Sequence, residues 1–134
     1  MFQALNHNIR CLMYYFTDDI HLGLTNARRA KALASTSAFP GAKKSMEAFE
    51  AYVEVGQILT GLSIEEPIKS LELKFEKQPL LPKLVIAWGL MNGYQQQKEL
   101  LKSKKMIEFC ELNAPHCTLL IKPIKAIQEE INFA

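Results

Sequence analysis

The chain has 134 residues, 49% of them hydrophobic and 22% charged, with only six glycines. Its charge is sorted into blocks: residues 1–46 carry six basic and two acidic side chains (+4), 47–76 two and seven (−5), and 77–134 eight and five (+3), a net +2. These values exclude a disordered chain, argue against a β-sandwich or a glycine-rich phosphate loop, and suit one domain over 1–134 that folds without disulfides or metals.

The first predicted element is a helix over residues 2–16. Phe2, Leu5, Ile9, Leu12, Met13 and Phe16 approach the i, i+3, i+4, i+7 spacing of an amphipathic apolar face. The apolar run from Cys11 to Phe16 stops at Thr17-Asp18-Asp19, too short for a signal-peptide core. No stretch reaches the ~20 apolar residues of a membrane span. Asp18 or Asp19 is placed to cap a second helix through Ala27, Ala30, Leu33 and Ala34, which exposes Arg28, Arg29 and Lys31. After a break at Phe39-Pro40-Gly41, Ser45 starts a third helix with two adjacent apolar faces. Met46, Phe49, Val53 and Leu59 mark one, and Ala48, Tyr52, Val55 and Leu62 the other. So wide a stripe predicts a central, heavily buried helix.

Ser63-Ile64-Glu65-Glu66 has capping-box spacing, and Ile64, Ile68, Leu71 and Phe75 then share one helical face. The same region also supports a strand, because Leu71, Leu73 and Phe75 alternate with Glu72, Lys74 and Glu76. With the β-formers from Leu84 to Trp88, that alternative makes an α+β fold with a hairpin over 70–88. The cap and the longer stripe favour helix. Pro82 suits the first turn of a helix over 82–92, which Asn92-Gly93 would end in a left-handed cap. A long amphipathic helix is expected from Tyr94 to Leu112, with Leu100, Leu101, Ile107 and Cys110 inward and Lys98, Lys102 and Lys105 outward. Pro115 opens a last segment that Pro123 must kink or divide, and Ile124, Ile127 and Ile131 keep one face apolar. The expected fold is mainly α: six to seven short helices in a bundle-like array.

Two basic groups are candidate binding surfaces. Arg28, Arg29, Lys31, Lys43 and Lys44 form the first; Lys98, Lys102 and Lys105, at i, i+4, i+7, form the second. Cations gathered on one face suit phosphate binding, but the aromatic interleaving of single-strand binders is missing near 28–44. The competing reading turns Arg28, Arg29 and Lys31 toward glutamates 47, 50 and 54 of the next helix. Metal binding has one hint: His7 and Cys11 at i, i+4, with Cys110, His116 or Cys117 completing a set. No tight ligand pair supports it, so no metal or other cofactor is expected. His116 and Cys117 are adjacent and point apart on a helix, and no orienting carboxylate makes them a catalytic pair. Gly89 and Gly93 allow close helix approach, and Trp88, Leu90 and Met91 would form an interface if exposed, although a core role suits them better. Three widely spaced cysteines fit a reducing, cytoplasmic setting. The expectation is a small non-catalytic protein-interaction module whose partner is another protein or a second copy. The alternative is a helical subunit that grips nucleic-acid phosphates.

Overall fold

The computed structural model describes residues 2–17, 19–36 and 42–113, with the side chains of all but 2 and 42–45. Among them are six helices and no strand: α1 (Phe2–Phe16), α2 (Ile20–Ser35), α3 (Ala42–Thr60), α4 (Glu65–Phe75), α5 (Leu80–Gln96) and α6 (Leu100–Asn113). The chain is an all-α bundle, and the hairpin over 70–88 does not form. Leu71 and Ile68 point inward at helical spacing while Leu73 is exposed, so burial follows the 3.6-residue period and not the alternation. The expected last segment, with Pro115 and Pro123, lies outside the described residues.

α3 is the centre. It packs against α2, α4 and α5, and more lightly against α1. Phe49, Ala51, Tyr52, Val53, Val55 and Ile58 are all buried. α5 runs alongside α3 in the same direction, and its helix is buried nearly all round from Leu84 to Met91. Two small residues permit the close approach. A methyl at Gly89 would come within 2.7 Å of Val55 Cγ2, and one at Gly93 within 2.8 Å of Ile68 Cδ1. Gly93 is therefore a packing residue inside α5, not the left-handed cap expected of it. α4 returns the chain between these two helices, and α6 packs on α5.

Three helix ends differ from expectation. The Ser63–Glu66 capping box is not formed: α4 begins at Glu65, and no side chain caps it. At the start of α2, Asp19 occupies the N-cap position without a side-chain capping bond. The expected helix from Tyr94 to Leu112 is two helices. α5 continues through Gly93 to Gln96, and the chain then turns at Lys98, whose φ is 60°. Glu99 N–H donates to the Tyr94 carbonyl (2.8 Å) and Lys98 N–H to that of Gln95 (3.0 Å). That bond pair is a Schellman cap with lysine in the left-handed position. The new start resets the register of α6, so Ser103, Ile107 and Cys110 point inward and Leu100 and Leu101 do not. Ser103 Oγ donates to the Met91 carbonyl at 3.0 Å, which satisfies a hydroxyl in a buried seam.

Candidate functional site

The informative departure is in α1. Its buried side chains are Ala4, Cys11 and Tyr15, whereas Leu5, Ile9 and Met13 are 42%, 58% and 60% exposed. The seam with α2 explains the choice. There α2 presents Gly23, Ala27, Ala30 and Ala34, all buried, so the helices meet through small residues and approach closely. Of the apolar face expected for α1, Leu5, Ile9 and Met13 are turned out instead, while Leu12 and Phe16 pack against the edge of the core. Tyr15 anchors this arrangement. Its hydroxyl donates to the Tyr52 carbonyl of α3 at 2.7 Å, and its ring fills the space that a side chain at Gly23 or Gly56 would need. Its edge meets Trp88 of α5 at 6.4 Å, and Phe16 stacks on the same indole at 5.2 Å.

Leu5, Ile9 and Met13 recur every four residues and so make one exposed stripe. On its α2 side the positions follow from one contact. His7 Nδ1 lies 3.0 Å from Asn26 Oδ1, which is a hydrogen bond when that nitrogen carries the proton. Arg10, three residues past His7, shares the α2-facing flank of α1. Leu22 and Arg29, at i−4 and i+3 from Asn26, share the α1-facing flank of α2. Both are exposed. A shallow pocket of about 310 Å³ opens at the end of the stripe, lined by Arg10, Met13, Tyr14 and Thr17. Arg10 stands beside Met13 at one edge of the stripe, whereas Leu22 and Arg29 belong to α2, which packs on the side of α1 opposite Ile9. Neither α1 nor α2 contains an aspartate or glutamate, and Asp18 and Asp19 lie between them in the sequence.

The sequence-predicted cations are distributed differently from the two coherent patches expected of them. Leu24 reaches the Gly56 position of α3, so Arg28 and Lys31, at i+4 and i+7 from Leu24, lie on the α3-facing flank. Arg29 is on the opposite flank. Arg28 and Arg29 are exposed and Lys31 is half-buried. The glutamates offered as their partners are engaged elsewhere. Lys74 of α4 bridges Glu54 and Glu50, the latter at 3.5 Å, and Glu47 accepts a bond from Gln78 at 3.4 Å. Among the described residues no carboxylate pairs with Arg10, Arg28, Arg29 or Lys31. The side chains of Lys43 and Lys44 lie outside the described residues.

In the second group, Lys98 sits in the α5–α6 turn and so is not on one helical stripe with Lys102 and Lys105. Lys102 pairs with Glu99 at 3.3 Å and lies 5.6 Å from the centre of the Tyr94 ring. Lys105 is exposed. The two groups stand on different helices of the bundle: α2 packs on α1 and α3, and α6 packs on α5.

The remaining candidates are quickly placed. His7 faces α2, Cys11 is buried beside Tyr15, and Cys110 is buried in α6. No three histidine, cysteine or carboxylate side chains among the described residues gather as a metal site; His116 and Cys117 lie outside them. Trp88, Leu90 and Met91 are core residues. No described helix is long and apolar enough to cross a membrane. No family model, curated protein or solved structure matches the chain.

Proposed function

We propose that this protein acts by binding another protein, without catalysis, through the outer face of the α1–α2 hairpin. The observation that carries this reading is the orientation of α1. It buries alanine and cysteine and presents Leu5, Ile9 and Met13 to solvent, an apolar stripe rimmed by polar groups of the kind that marks interaction surfaces. Aliphatic and methionine side chains at the centre and arginine at the edge match the anatomy of a protein interface.

Ile9→Asp combined with Met13→Asp should remove the partner in a nuclease-treated pull-down, with the interaction repeated from purified components. Both positions are exposed, so thermal unfolding should move by no more than about 0.5 kcal/mol in stability. Recovery of the same partners by the doubly substituted protein would count decisively against this face.

Nucleic acid remains the second reading, favoured by Arg28 and Arg29, which pair with no carboxylate among the described residues. It draws on less, because those two arginines occupy different flanks of α2. A salt-sensitive gel shift abolished by Arg28→Glu with Arg29→Glu would support it; the absence of any shift at low salt would end it.

A further inference from the structure

We draw no further inference here: the strongest candidate, the exposed apolar stripe of Leu5, Ile9 and Met13 on α1, carries nothing beyond the binding face already proposed, because nothing in the structure shows what covers it.

Discussion

Tyr15 and Cys11 show how a few buried polar atoms set the chemistry of this core. Burial pushes the Cys11 thiol from 9.0 up to about 12, against a smaller downward pull from its hydrogen bond with Tyr15. Burial also pushes the Tyr15 phenol well above its ordinary value, with the neighbouring Cys11 adding to the effect. Both groups therefore stay protonated in the folded protein at a pH where the unfolded chain has begun to lose those protons. The folded state binds more protons there, so stability falls as pH rises. The loss begins near the unfolded value of 9.0 for Cys11 and continues toward about 12; below that onset neither group contributes a slope. Near neutral pH these two groups should give the urea unfolding free energy no pH dependence. Cys11 above about pH 9 and Tyr15 above about pH 10 should each add a fall of up to roughly 1.4 kcal/mol per pH unit. Cys11→Ala should flatten the first part of that fall, and Tyr15→Phe the part above about pH 10. A profile identical in all three proteins would remove this account of the pair.

At the scale of elements, the turn between α5 and α6 is where pattern and structure part most clearly. Lysine at a φ of 60° costs roughly 1–2 kcal/mol relative to glycine, whose missing Cβ removes the clash. Lys98→Gly should accordingly raise the unfolding free energy by about 1 kcal/mol in a urea titration, without altering the helix content seen by circular dichroism. Nothing in the sequence marks Lys98 as the left-handed residue. Asn92-Gly93 is the better cap by composition, but Gly93 is held in place by the side chains of Ile58 and Ile68, a tertiary demand that local pattern does not contain. By contrast α3 is legible as a central helix because its apolar positions run round most of its circumference. α4 is legible because Ile64, Ile68, Leu71 and Phe75 keep one face. In α1 the pattern misleads. Periodicity finds the largest apolar stripe, and the core here takes the smaller side chains of Ala4 and Cys11 because α2 meets them mainly through Gly23, Ala27, Ala30 and Ala34. Arg28 and Arg29 were legible as exposed cations; Leu5, Ile9 and Met13 as surface were not. Only the complementary run of small residues in α2, from Gly23 to Ala34, could have signalled it.

Across the whole molecule, no ion pair among the described residues joins the basic first third to the acidic second third. The acidic block neutralises part of itself through one of its own two lysines, Lys74, and the arginines of α1 and α2 are left facing outward. That sorting of charge is a property of the surface, and its effect on partners is expected to weaken as salt screens it. A second consequence follows from the small-residue seam. Alanine, glycine and cysteine remove little apolar area from water per contact, at about 25 cal/mol per Å², whereas α5 is enclosed by large side chains on nearly every side. Backbone amides of the free protein should therefore exchange with deuterium earliest in the first half of α1 and latest between Val85 and Met91 of α5. A ligand seated on Leu5, Ile9 and Met13 adds the bulky contacts that the seam lacks. It should slow exchange in α1 far more than in α5. On the proposed function, the hairpin would then be the part of the protein whose order a partner completes.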